Sequence, residues 1–167
     1  GDLPKLRSGL SKESDSAQEW HKAVTSLSNA KWLESISNNL QEAVIGNLTK
    51  VGVRMSRGKS YIPSTSSPKE YAEWYRDESL AGICNHETRG HIRQDLHRYF
   101  FASIFARING RSPTLNDFPK GLLPKHENVQ EALNSSKFND RFRVQVSGKP
   151  STTVVSHISK DGHYYIH

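Results

Sequence analysis

The stretch 141–167, RFRVQVSGKPSTTVVSHISKDGHYYIH, reads as β-structure. Over Arg141–Val146 the residues alternate. Phe142, Val144 and Val146 fall on one face, and Arg141, Arg143 and Gln145 on the other. Ser147-Gly148-Lys149-Pro150 interrupts the run, and Thr152–Ile158 is a second one, rich in β-branched residues. Asp161-Gly162 fits a two-residue hairpin turn, because both positions tolerate positive φ. His163–Ile166 is the expected returning strand. Natural domains seldom stop on an open sheet edge, so the parent chain is expected to continue past His167.

Working back from this stretch, the chain turns helical. Cys84–His91 leads into the longest helical pattern, which ends at Asn109-Gly110, a good stop signal. Ile92, Leu96, Tyr99, Phe100, Ile104 and Ile108 share a face expected to be the centre of the core. Arg89, Arg93 and His97 recur every fourth residue on an adjacent face. Such a row repels itself unless an anion lies beside it. A phosphate backbone would serve, and a solvated helix face is the alternative. Ser112-Pro113-Thr114 starts a short turn through Phe118, Gly121–His126 is a loop, and Glu127–Leu133 a short helix.

The first half begins with Asp2–Gly9, an extended lead-in. Asp15-Ser16 opens a helix through about Ser28, with Trp20, Val24 and Leu27 at helical spacing. A second helix is expected from Ala30 to about Lys50, with Leu33, Ile36, Leu40, Val44 and Leu48 as its stripe. Residues 53–68 place Arg54, Arg57 and Lys59 among Ser, Gly and Pro: a flexible basic loop that either enters a DNA groove or links helices. Ser67 as N-cap and Pro68 at the first helical position start a helix through Asp77. Tyr71, Trp74 and Tyr75 would stack on bases or pack in the core, and their spacing favours the core.

The expected class is therefore α+β: a mostly helical single domain over 1–167 with a small antiparallel C-terminal β-sheet. Residues 2–13 form the lead-in, 53–68 the basic loop and 141–167 the closing strands. The net charge is +6, which favours an anionic partner. Residues 1–80 hold 11 Lys/Arg against 10 Asp/Glu, a net of +1, and residues 81–167 hold 12 against 7, a net of +5. Seven of the eight His share that second half. The excess in the second half leads to an expectation of weak, strongly salt-dependent duplex binding, and with clustered His the binding is expected to tighten as pH falls through about 6.5. The single cysteine, Cys84, excludes an internal disulfide and suits a reducing cytoplasm. No apolar run approaches membrane-span length and no signal peptide is visible.

A resemblance joins these features. Lys149-Pro150-Ser151-Thr152-Thr153-Val154, followed by Ser156–His167, resembles the ninth conserved motif of bacterial DNA cytosine-5 methyltransferases. Asp2–Gly9 resembles the segment through which that family leaves its catalytic domain. Asn85-His86-Glu87-Thr88-Arg89 and Phe138–Phe142 resemble the recognition region of one subgroup. The resemblance implies a target recognition domain, from a restriction–modification system, whose parent enzyme flips a cytosine out of the duplex and methylates its C5 from S-adenosylmethionine.

The family's chemistry needs a Pro-Cys nucleophile loop, a Glu-Asn-Val segment and a Gly-rich cofactor loop. Cys84 follows Ile83, not Pro, and is expected to be a buried structural thiol. Glu127-Asn128-Val129 matches by letters but sits just before the ninth motif, so it reads as a helix start where Glu suits the dipole. No Phe-x-Gly-x-Gly occurs. The chain is therefore expected to be non-catalytic alone and to hold no cofactor itself, with S-adenosylmethionine bound by the parent enzyme.

The expected partners are double-stranded DNA and the catalytic domain of the same parent chain, in the bacterial cytoplasm, with no membrane. The candidate DNA-binding residues are Arg57, Lys59, Asn85, His86, Arg89, Arg93, His97, Arg141, Arg143, Lys149, His157 and Lys160. Among these Arg57, Asn85, Arg89 and Arg143 are the candidate base readers, since Arg pairs with guanine and Asn with adenine. In the family the ninth motif mainly holds the recognition domain in place, so Pro150, Thr153, Asp161 and Gly162 are assigned to shaping it. Two other classes compete: a helical protein-interaction module whose basic face meets an acidic protein, and a nuclease using His86 and Glu87 at a metal. For the latter, the spacing of His86, His91 and His97 is not a recognised ligand pattern.

Overall fold

The computed structural model describes residues 17–53, 58–63, 70–75, 77, 79–87, 91–125, 128–135, 139–153 and 164–166. Its central element is a long helix, Arg93–Asn109. The other helices are α1 (Ala17–Thr25), α2 (Asn38–Leu48), α3 (Ala72–Tyr75) and α5 (Val129–Ser135), which makes the long helix α4. The strands are β1 (Gly58–Pro63), β2 (Gly82–Glu87), β3 (Phe142–Val144) and β4 (Tyr164–Ile166). The class is α+β and mostly helical, as expected.

Helix α4 buries far more than one face: Leu96, His97, Arg98, Phe101, Ala102, Ile104, Phe105 and Ala106 are all buried. It packs against α1, α2 and β3, and a helix with neighbours on several sides loses its two-faced pattern. Of the expected core face, Leu96 and Ile104 are buried, Tyr99 and Phe100 half-buried, and Ile108 exposed. Phe101 is the hub. Its ring meets Trp32 edge-on at 5.8 Å and Phe118 at 5.0 Å, and Phe118 in turn meets Phe142 at 4.9 Å. Such aromatic contacts stabilise beyond the area they bury. Gly110 ends α4 at φ 64, where its N–H donates to the Ala106 carbonyl at 2.9 Å; a left-handed cap suits glycine.

The expected helix over 30–50 divides in two. Lys31–Ser35 forms a 3-10 turn, Ile36 is extended, and α2 begins at Asn38. Ser35 Oγ donates to the Trp32 carbonyl at 2.7 Å, a local bond that competes with helix propagation. The apolar stripe survives the break: Leu33, Leu40, Val44 and Leu48 are buried and Ile36 packs against them. The N-terminal helix likewise tightens into a 3-10 turn at Ser26–Asn29.

Two buried polar groups tie the core together. Arg98 Nε donates to the Leu122 carbonyl at 2.6 Å, Nη2 to the Leu123 carbonyl at 3.1 Å, and Nη1 to Asp95 at 2.6 Å. The guanidinium fork thereby satisfies backbone acceptors that its own burial would otherwise strand. His97 joins α4 to α1, as described below.

The sheets differ from expectation in placement. The antiparallel pair is β1–β2, in the middle of the chain, so 58–63 is a strand within what reads as a loop. The C-terminal pair β3–β4 is parallel, with Phe142 opposite Tyr164 and Val144 opposite Ile166. Residues 145–163 between them are long enough for the crossover, about a dozen residues, that a parallel pair requires. The expected alternation holds at β3, where Phe142 is buried and Val144 lies against the core. The Asp161-Gly162 turn lies outside the described residues, as does most of Thr152–Ile158.

Candidate nucleic-acid interface

β1 and β2 form a two-stranded ribbon set apart from the helical core. Among the described residues, the core passes from Val51 to Leu96 and takes no member from the ribbon. The register sets Lys59 opposite His86, Tyr61 opposite Cys84, Ile62 opposite Ile83 and Pro63 opposite Gly82, and it omits Ser60 and Asn85. Asn85 explains the gap. It adopts φ 56, a left-handed conformation that Asn tolerates better than most residues, and this turns its peptide groups off the ladder. Side chains of facing residues share a face, so Lys59, His86, Tyr61 and Cys84 lie together on one side.

All four are exposed, as are Asn85 and Ile83. Cys84, expected to be buried, is solvent-facing: among the described residues no second layer covers the ribbon. Tyr61 is 45% exposed, and its ring lies where a Cβ on Gly82 would stand, with its hydroxyl oxygen 2.6 Å from that position. Asp77 supports the turn into β2. It accepts from Ser79 N at 2.9 Å and Ser79 Oγ at 2.5 Å, and these bonds, the side-chain one foremost, hold its carboxyl below the usual value. Nearby, Tyr71 and Trp74 are exposed at 64% and 81%, so neither packs in the core as their spacing suggested. The side chain of Tyr75 lies outside the described residues.

The other candidates scatter. Arg93 is exposed on the first turn of α4, one turn before His97. His97 is buried and leaves the basic row that four-residue spacing assigned it. Arg143 pairs with Asp140 at 2.6 Å, Arg141 is half-buried, and Lys149 Nζ donates to the Gly110 carbonyl. Pro150 and Thr153 are exposed. Arg57, Arg89, His157, Lys160, Asp161 and Gly162 lie outside the described residues, as does the Glu87 side chain. The structure thus gathers Lys59, Asn85 and His86 on one ribbon and leaves Arg93, Arg141, Arg143 and Lys149 elsewhere.

Tyr61 and Ile83 carry no site signal in the sequence, where Tyr61-Ile62-Pro63 between Ser and Gly residues reads as loop. Among the described residues no three or more His, Cys, Asp or Glu are grouped to hold a metal, and no helix is long and apolar enough to cross a membrane.

No protein-family model matches the chain, and no solved structure matches it. The chain is similar to Type II methyltransferase M.Bpa9945I of Bacillus paralicheniformis, 36% identical over 97 residues, which is 58% of this chain and 20% of the relative. It thus spans about a fifth of the length of the curated relative it matches.

Proposed function

We propose that the chain is the target recognition part of a bacterial DNA cytosine-5 methyltransferase of a restriction–modification system. It selects the duplex sequence at which the parent enzyme transfers a methyl group from S-adenosylmethionine to cytosine C5. The observation that carries this reading is the sequence similarity to a Type II methyltransferase over more than half of the chain. The match spans only a fifth of that relative, which suits one part of an enzyme. The ninth-motif resemblance at Lys149–His167 supports taking that part to be the recognition region. The charge fits a polyanionic partner, with the +5 excess carried by residues 81–167.

On this reading the chain's own residues bind and orient DNA. Exposed cations such as Lys59 and Arg93 hold phosphates, and Asn85 offers the donor–acceptor pair that matches adenine. The catalytic thiolate and the cofactor site belong to the parent's catalytic domain, against which the segment from Lys149 onward docks. The setting is the bacterial cytoplasm.

The test is a mobility-shift titration on a pool of random duplexes at rising salt, with sequencing of the bound fraction. The expected result is binding at low salt that weakens steeply as salt rises, with a short enriched motif. Absence of binding at low salt overturns the reading in favour of a protein-interaction module.

A further inference from the structure

We infer that the β1–β2 ribbon is the element that enters the major groove, with the face built from Lys59, Tyr61, Cys84 and His86 against the base edges. The inference rests on the DNA reading above and names the surface that carries it. Three observations lead to it.

First, the ribbon leaves apolar side chains exposed, Tyr61 at 45% on the named face and Ile83 at 57% on the opposite one. A two-stranded ribbon without a packed layer is marginal in water, so an occupant seated on this surface would stabilise it. Second, the shape is right. Paired strands lie about 4.8 Å apart, and a groove about 12 Å wide admits a two-stranded ribbon with its side chains.

Third, the chemistry of the face matches a polyanion with hydrogen-bonding edges. Lys59 and His86 face each other across the ladder, with no carboxylate among the four residues of that side. The tip of the Tyr61 ring occupies the space beside Gly82 and gives the face an aromatic group. Beside them, the left-handed Asn85 breaks the ladder. A strained residue kept in a strand is a common mark of a working site.

Cys84 lies on this face and is the chain's sole cysteine, so it serves as the probe. Its alkylation by a maleimide is timed with and without duplex DNA at about ten times Kd. The inference expects alkylation to slow about tenfold, in proportion to the remaining free protein. Lys59→Ala/His86→Ala should weaken binding about tenfold, whereas Lys31→Ala/Lys50→Ala, on the helical side, should not. An unchanged alkylation rate in protein that a mobility shift shows to be bound overturns the ribbon and leaves the DNA reading standing. So does wild-type affinity in the ribbon variant. No shift on any duplex at low salt overturns both.

Discussion

The Nε2 atom of His97, in the second turn of α4, lies 2.9 Å from the main-chain carbonyl of Ala23 in α1. A carbonyl only accepts, so Nε2 carries the hydrogen, and Ser26 Oγ, 3.3 Å away, shares the same nitrogen. The residue that continues a basic row in the sequence is therefore a tie between two helices. Arg93, one turn earlier, stays exposed, whereas His97 meets the α1 carbonyl.

Replacing His97 with alanine should cost about 2 kcal/mol, from a lost buried hydrogen bond and an imperfectly filled site. Chemical denaturation measures it. Duplex affinity of the folded variant should equal that of the wild type. Unchanged stability together with weakened DNA binding would restore His97 to the interface.

Asp117 makes acid stability predictable. It accepts from Arg111 Nη1 and Nη2, both at 2.8 Å, and from Thr114 N at 2.7 Å and Oγ1 at 2.9 Å. The Arg111 bonds are the largest cause of a pKa lowered from 3.8 to about 2, against the opposing effect of burial. A depressed carboxylate stabilises the fold above its unfolded value and loses that contribution as pH falls from 3.8 toward about 2. Asp117→Asn should cost up to about 1 kcal/mol at neutral pH, the scale of a lost, partly exposed ion pair with Arg111, and should flatten the acid limb in that window. Denaturant melts from pH 5 to pH 2 on both proteins decide it, and parallel acid limbs would contradict the assignment.

Gly82 offers a way to damage the ribbon without the core. A Cβ there would fall on the Ile62 carbonyl oxygen and into the Tyr61 ring. The backbone contact cannot be relieved by a rotamer change, so Gly82→Ala should distort the β1–β2 pairing. Because no ribbon residue joins the core among the described residues, the thermal melt of the helices should stay within about 0.5 kcal/mol of the wild type. The alkylation rate of Cys84 in free protein should change. A large drop in Tm would show that the ribbon supports the core after all.

Much of the architecture was legible locally. The Leu33–Leu48 stripe, the Asn109-Gly110 stop, the short turn after Pro113 and the alternation at Phe142 all recur in the structure. At that turn Thr114 and Asp117 form a reciprocal cap. Each depends on residues within a turn or two of one another, where spacing and side-chain chemistry dictate the outcome. The candidate site was legible only in part. Lys59, Asn85 and His86 stand out in the sequence as residue types, whereas Tyr61 and Ile83 do not.

By itself the sequence determined the α+β class, the apolar stripe over 33–48 and the basic second half, because periodicity, capping and charge are properties of short segments. Only the tertiary structure decided that 58–63 pairs with 82–87, that β3 and β4 run parallel, that His97 turns inward, and that Cys84 and Trp74 face solvent. Those outcomes turn on which distant segment arrives beside a residue. A strand flanked by Ser, Gly and Pro becomes one when its partner supplies the missing hydrogen bonds. A polar side chain goes inside when a neighbouring helix both covers it and presents a carbonyl to it.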